Sequence, residues 1–328
     1  MTRSLRLSAL LAVAAIVVAA CSSAATTAPS AAPATPAPAT APPATAAPAT
    51  VAPATAAPTE APSVAPTVDP NSLLGKVLAA GKIRISTDPN YAPFSSMDTA
   101  TGKYVGFDTS TAEEVARRLG AAVGKDIAVE WVTPSWDLIT AGSWGGRWDM
   151  SIGSMSVTKG REKVVDFADP YYYDFGAIAV PADSTITQLS DLNGKKVCVG
   201  ASTTYEQWLK GTLEILDPNM LQPPTGLDIT SLPTDNECIQ ALAAGRKFDA
   251  IIANENDLAN AVKQNQPIKL LEGIIPFKIS VAFAMDKGGP ATDSMLAVIN
   301  PIVAAMHADG TLTKFSNEFL GKDVTKAP

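Results

Sequence analysis

The sequence predicts an α/β fold built in two lobes, carried behind an export segment and a long spacer. Three observations lead there. Strand-like and helix-like stretches alternate from about residue 71 onward, the pattern of β–α units on largely parallel sheets. That part alone is large for one hydrophobic core, because cores stop growing at roughly 250–300 residues and chains then divide. The stretch before it shares none of this periodicity.

Arg3 and Arg6 make a positive start, and Leu7 to Ala20 is an apolar run. The run is shorter than the roughly 20 residues a bilayer span needs, so residues 1–20 read as a secretory signal peptide. It closes on Val18-Ala19-Ala20-Cys21, which resembles the bacterial lipobox, where cleavage precedes a cysteine that takes the lipid. Cys21 is therefore the expected lipidation site, an anchor that holds a protein to a membrane without spanning it. Residues 21–70 are almost entirely Ala, Pro, Thr and Ser, with Glu60 and Asp69 as their only charges. Such a stretch buries too little to offset its ordering entropy. Its prolines make it a semi-rigid spacer of at most about 3.1 Å per residue.

In the body, Lys82 to Thr87 (KIRIST) is the first strand. Ser110 and Glu113 form a capping box that opens a helix. Val115, Ala116 and Leu119 share its apolar face, and Gly120 stops it. Ile127 to Val132 is a strand, Thr158 caps a further helix, and Ala177 to Val180 is a short apolar extended run. Lys196 to Gly200 (KVCVG) is a strand leading into a helix boxed by Thr203 and Glu206 and ended by Gly211. Asp228 to Leu232 leads into a helix boxed by Thr234 and Glu237, with Ile239 and Leu242 apolar and Gly245 beyond. Phe248 to Ala253 (FDAIIA) is a buried strand. Asp293 to Met306 is a long closing helix that Pro301 should kink or split.

Several functions are excluded early. The net charge of −7 argues against nucleic-acid binding, which needs a basic patch or stripe. One His and three Cys without Cys-x-x-Cys do not make a Cys/His zinc site. A single His and no Gly-x-Ser-x-Gly elbow argue against a Ser-His-Asp hydrolase. Gly120 to Asp126 (GAAVGKD) falls one residue short of a phosphate loop and ends in Asp rather than Ser or Thr. No metal and no cofactor are expected.

Motifs spread along the body resemble family 3 of the bacterial extracellular solute-binding proteins, the polar amino-acid receptors of ABC importers. They are Thr87-Asp-Pro-Asn-Tyr-Ala-Pro-Phe94, Gly106-Phe-Asp108, Gly153-Ser-Met-Ser-Val-Thr-Lys-Gly-Arg161 and Val165-Asp-Phe-Ala-Asp-Pro-Tyr-Tyr172. Asp191-Leu-Asn-Gly-Lys-Lys-Val197, Ala241-Leu-Ala-Ala-Gly-Arg-Lys-Phe-Asp-Ala250 and Ala308-Asp-Gly-Thr-Leu-Thr-Lys314 continue them in order. The resemblance implies a periplasmic-binding-protein-like fold of type II, in which two lobes joined by two hinge crossings close on a ligand. Laid on this sequence, lobe 1 is residues 71–176 and 282–328 and lobe 2 is residues 177–281. The crossings fall near Tyr173 to Ala179 and Ile279 to Phe283. It also implies an exported, lipid-anchored monomer that passes a small carboxylate, an amino acid, to a membrane permease and performs no chemistry.

The binding residues follow partly from chemistry. A free amino acid offers a carboxylate, an ammonium and a side chain. Arg161, three residues after Thr158, supplies a planar fork for the carboxylate, joined by the hydroxyls of Ser154 and Ser156. The Ser-x-Ser-x-Thr-x-x-Arg spacing matches the family's carboxylate clamp. From the second lobe Ser202, Thr203 and Thr204 would close over the same group. Tyr91 corresponds to the family's stacking ring, with Trp136 a candidate opposite wall. Trp131, Trp144 and Trp148 are assigned to packing or the rim. Asp88 either meets a polar or cationic ligand side chain or braces the Pro89 turn. The family holds the ammonium with an Asp five residues after the Asp of its Asp-Ala strand. Counting from Asp249 reaches Asn254, so Asn254 would act through its carbonyl, with Glu255 or Asp257 as alternatives. In an exported protein, Cys198 and Cys238 are left to pair as a disulfide. His307 is read as a solvated residue near a helix C-terminus.

Two other classes remain open. One is an enzyme on the same fold, dehydratase-like, for which Asp88 and Glu255 would be the acid or base. The other is a ligand-sensing lobe for a separate membrane signalling partner, since no transmembrane segment follows in the sequence.

Overall fold

The computed structural model describes residues 68–327. The expected signal peptide at residues 1–20, the lipidation site Cys21 and nearly all of the spacer lie outside the described residues.

The body opens with helix α1 (Leu73–Ala80), unforeseen in the sequence; the Ser72 hydroxyl caps it and left-handed Gly81 ends it. Strand β1 (Lys82–Ser86) follows, then a small antiparallel meander of β2 (Asn90–Tyr91), β3 (Ser95–Asp98) and β4 (Lys103–Val105). Helix α2 (Phe107–Val123) starts before the expected Ser110 and runs past Gly120. The turn at Gly106, at φ 135°, sets the start. Gly120 stays within the helix, which ends instead at left-handed Gly124; a Cβ on Gly120 would sit 2.5 Å from the Lys125 carbonyl oxygen, so the glycine serves a close backbone approach.

Next come β5 (Ala128–Val132), α3 (Trp136–Thr140), β6 (Met150–Ser151) and β7 (Val165–Phe167). The helix expected after Thr158 is only a 3-10 turn, Arg161–Lys163, although the Thr158 hydroxyl does accept from Arg161 N at 3.1 Å. The chain must rejoin the sheet at Val165, which leaves no length for more turns.

The ten-residue strand β8 (Tyr172–Pro181) contains the expected run at Ala177 to Val180. After it come β9 (Lys196–Gly200), α4 (Thr204–Leu209), β10 (Asp228–Leu232), α5 (Asp235–Ala243), β11 (Ala250–Asn254), α6 (Glu255–Lys263), β12 (Ile268–Leu270) and β13 (Lys278–Val281). The chain then forms β14 (Ala284–Asp286), α7 (Asp293–Ala308) and α8 (Thr311–Leu320). Pro301 sits inside α7 without splitting it. The helix buries Met295, Ile299, Ile302, Val303 and Met306, and that apolar burial outweighs the roughly 3 kcal/mol an internal proline costs.

Two sheets organise these elements. The first has strand order β5-β1-β6-β14-β7; the second has order β10-β9-β11-β8-β12, with β13 paired to β8. Their centres are parallel as expected (β1 with β5 and β6, β9 with β10 and β11), but β8 and β14 join them antiparallel. The reason is connectivity. β8 and β13 pair side by side, Tyr172 opposite Val281 and Phe175 opposite Lys278, as the two crossings between the sheets. A strand that carries the chain from one sheet to the other arrives without a crossover helix and so runs antiparallel.

Each sheet has its own core. Ile83, Ile85, Phe107, Leu119, Ile299 and Met306 belong to the first. In the second, alternate residues feed opposite faces: Val197, Val199, Ala250 and Ile252 on one, Cys198, Ile251 and Ala253 on the other. On the latter face Cys198 of β9 is disulfide-bonded to Cys238 of α5, as expected. His307 is tied to the Pro170 carbonyl at 2.9 Å rather than left in solvent. No single helix among the described residues is long and apolar enough to cross a membrane.

Candidate binding cleft

Five segments that directly follow parallel strands converge on one cavity of about 780 Å³. Residues 88–91 follow β1, 133–137 follow β5, 153–154 follow β6, 201–205 follow β9 and 231–235 span the end of β10. This is the ordinary place for a ligand in α/β sheets, beyond the carboxyl ends of the strands. The first three segments belong to one sheet and the last two to the other, so the cavity lies between them.

Arg161 lines this cavity at 4% exposure. Its Nη1 donates to the Ser156 carbonyl at 3.0 Å and its Nη2 to the Ser202 carbonyl at 3.2 Å. Its Nε is buried with no partner. The guanidinium also lies 5.1 Å from the Trp136 ring, a cation–π contact. Burial lowers its pKa to about 10, so it stays charged at neutral pH. No carboxylate among the described residues forms an ion pair with it. Asp174, which acts on it from a distance, is held by the Tyr205 hydroxyl and the Asn254 amide. A buried cation with neutral acceptors and a spare N–H is a ready anion site.

The serines and threonines divide their work differently from expectation. Ser154 lines the cavity, but its hydroxyl is spent donating to Asp108 at 2.6 Å. Asp108 also accepts from the Tyr171 hydroxyl, and burial pushes its pKa up to about 7. Ser156 and Ser202 serve Arg161 through carbonyls, not hydroxyls. The Ser202 carbonyl also accepts from Trp136 Nε1 at 3.2 Å, a second link between the sheets. Ser154 and Ser202 both take left-handed backbone, φ 50° and 60°, a strain that non-glycine residues rarely carry outside constrained sites. The Thr203 hydroxyl is spent as the α4 cap, donating to Gly200 O and accepting from Glu206 N. The Glu206 carboxylate reaches Ser202 N rather than closing the box on Thr203. Thr204 lines the cavity, and its hydroxyl is not used by these caps.

Tyr91 and Trp136 both line the cavity. Tyr91 stacks on Phe94 at 5.3 Å, and Trp136 lies over Gly153, whose missing Cβ would stand 3.4 Å from the ring. Trp144 and Trp148 pack against each other, and Trp131 packs on Tyr104, as assigned. Asp88 lines the cavity, braces Asn90 N, and has its pKa raised by burial.

Asn254 and Glu255 do not reach the cavity. Asn254 Oδ1 caps α6 through Asn256 N and Asp257 N, and its amide donates to Asp174. Glu255 pairs with Lys322 at 2.6 Å. The segment expected to hold the ammonium is a helix start, and that consumes the amide. The carboxylate that does line the cavity is Asp235, first residue of α5. Its Oδ1 accepts from Gly200 N at 2.8 Å, and burial raises its pKa to about 7. Gly200 is required there, since a Cβ would stand 2.5 Å from that oxygen. Sequence reading named Thr234 and Glu237 at this helix start and passed over Asp235 between them. Its place at the carboxyl end of a strand was the available signal.

The sequence model of the bacterial extracellular solute-binding proteins, family 3, matches residues 83–322. The chain is 29% identical to the L-cystine-binding protein TcyJ of Escherichia coli strain K12 over 256 residues, 77% of this chain and 88% of that protein. An ancestral arginine-binding protein bound to glutamine is 30% identical with TM-score 0.62, covering 74% of this chain and 99% of that one. The ancestral amino acid-binding protein AncCDT-1, a precursor of cyclohexadienyl dehydratase, is 29% identical with TM-score 0.63, over 76% of this chain and 100% of that one.

Proposed function

We propose that this chain, which belongs to the bacterial extracellular solute-binding proteins, family 3, captures a free amino acid in the cleft and delivers it to an ABC permease. The observation that carries this reading is Arg161, a buried cation at the cavity wall without a carboxylate partner. A ligand carboxylate supplies that partner, with the Thr204 hydroxyl beside it. Asp235, buried across the cavity, holds the ligand ammonium. Tyr91 and Trp136 sandwich the remainder. Lobe 1 is residues 71–176 and 282–328, lobe 2 is residues 177–281, and β8 with β13 forms the hinge. Cys21 carries the lipid, residues 22–70 are the spacer, and the receptor works as a monomer at the outer face of the membrane. It does no chemistry of its own.

Isothermal calorimetry of the purified protein against a panel of amino acids tests this, with bound ligand recovered by mass spectrometry. Saturable binding of an α-amino acid recovered unchanged is the expected result; no binding across the panel contradicts it.

One observation favours a second reading. Asp235 is pushed to about 7, which suits a general acid near neutral pH, and AncCDT-1 is described as precursor to a dehydratase. Recovery of a dehydrated product would establish that alternative.

A further inference from the structure

We propose that Glu206 is a positioning residue of the cleft: it holds Ser202 in the backbone conformation that aims the Ser202 carbonyl at Arg161 and Trp136, and so sets how firmly the lobes close. The inference rests on the cleft being the ligand site. Ser202 takes left-handed backbone at φ 60°, a region that a residue with a Cβ enters only at a cost. The Glu206 carboxylate meets that cost. Its Oε2 accepts from Ser202 N at 2.8 Å, and a hydrogen bond to an ionised acceptor is of the stronger kind. Its Oε1 accepts from the Ser231 hydroxyl of β10 and from Lys210 Nζ, four residues on along α4. The Glu206 side chain is 12% exposed. With both oxygens engaged, the carboxylate is fixed in place.

A plain helix cap would use this residue differently. In a capping box the third helical residue accepts from the N–H of the N-cap itself, which here is Thr203. Glu206 reaches one residue further back. The N–H it takes belongs to the residue whose carbonyl bonds across to the first sheet's side, accepting from Arg161 Nη2 and Trp136 Nε1, each at 3.2 Å. On its other side Ser202 is followed by Thr203, locked as the cap by Glu206 N at 3.1 Å. The carbonyl is thus aimed from two fixed points, and a turn of its peptide would lose both bonds together.

The consequence is for closure. When a ligand carboxylate takes over Arg161, the Trp136 bond is the half of the latch that remains. A carbonyl free to turn away lowers the population of the closed state, and apparent affinity falls in proportion. The conformation can also be supplied without the carboxylate. Glycine adopts this φ without steric penalty, and Ser202 works through its carbonyl. Ser202→Gly should therefore make Glu206 dispensable for the latch, though not for its bonds to Ser231 and Lys210.

Proton–nitrogen NMR of the full chain without ligand tests this through the Trp136 indole N–H, assigned with Trp136→Phe. In Glu206→Ala its exchange with solvent should quicken at least about tenfold, the scale of one lost hydrogen bond. In Ser202→Gly/Glu206→Ala exchange should return close to that of the parent, while the thermal midpoint stays as low as in Glu206→Ala. Calorimetry with L-arginine, L-glutamine, L-histidine and L-cystine as probes should show binding that weakens and recovers in step. An indole exchange rate unmoved by Glu206→Ala would overturn the inference, and so would a loss that Ser202→Gly does not restore. Unchanged or tighter binding in Glu206→Ala would show that the carbonyl competes with the ligand, and would overturn its role in closure. If the indole responds as expected and no amino acid binds, the latch stands and the amino-acid reading fails.

Discussion

Arg161 Nη2, from the first sheet's side, donates to the carbonyl of Ser202, which precedes α4 of the second, at 3.2 Å. The same carbonyl takes Trp136 Nε1, so one neutral oxygen latches both the cation and the aromatic wall across the cleft. A carboxylate is a stronger acceptor than a carbonyl for a guanidinium. A carboxylate placed at this guanidinium would therefore outcompete the Ser202 carbonyl as its acceptor.

Arg161→Ala should weaken ligand binding at least about tenfold, because a charge-assisted hydrogen bond contributes roughly 1.5–3 kcal/mol. Arg161→Lys should recover only part of the loss, since a point charge lacks the planar fork. Titration calorimetry reads both. Unaltered affinity in Arg161→Ala would take this residue out of the clamp.

Gly200→Ala drives a methyl group against Asp235 Oδ1 and should break the Gly200 N–H bond to that carboxylate. A stability loss of about 1–3 kcal/mol is expected for such overpacking, together with weaker binding as Asp235 moves. Chemical denaturation measures the first and calorimetry the second. A variant as stable as the parent would mean that Asp235 relaxes freely.

The Cys198–Cys238 bond closes a span of 40 residues. A cross-link of that kind contributes about 2–4 kcal/mol, largely by restricting the unfolded chain. The Cys198→Ser/Cys238→Ser double variant should melt about 5–15 °C lower. An equal midpoint under oxidising conditions contradicts this.

Asp108 and Asp235 are each held near 7 by burial, against an ordinary value of 3.8. Between about pH 4 and 7 the folded protein binds more protons than the unfolded chain, so stability falls as pH rises through that window. Above about 7 the penalty is complete, and below about 4 it vanishes. Glu114 and Asp309, held down to about 2 by their arginine partners and neighbouring hydroxyl and backbone donors, act in the opposite sense but only at more acidic pH. The unliganded protein should therefore melt higher at about pH 5.5 than at about pH 8, and Asp235→Asn should flatten that slope. A midpoint that falls on acidification to pH 5.5 would show that Asp108 and Asp235 are not buried as described.

Much of the fold was legible before any coordinates. Lys196 to Gly200 and Asp228 to Leu232 are strands at the expected bounds, because alternating apolar runs between caps and glycines are local signals. The Thr203 and Thr234 caps were legible for the same reason. Arg161 and Tyr91 were named through motifs that resemble the family's and Trp136 as a candidate wall, and all three line the cavity.

Local signals determine where strands and caps form, and a motif named the guanidinium that lines the cavity. They do not determine which way a polar side chain turns. Ser154 toward Asp108, Asn254 into the α6 cap and Asp235 into the cleft were decided by neighbours distant in the chain. Burial makes each polar atom take the donor or acceptor within reach, and only the packed lobes set what is within reach.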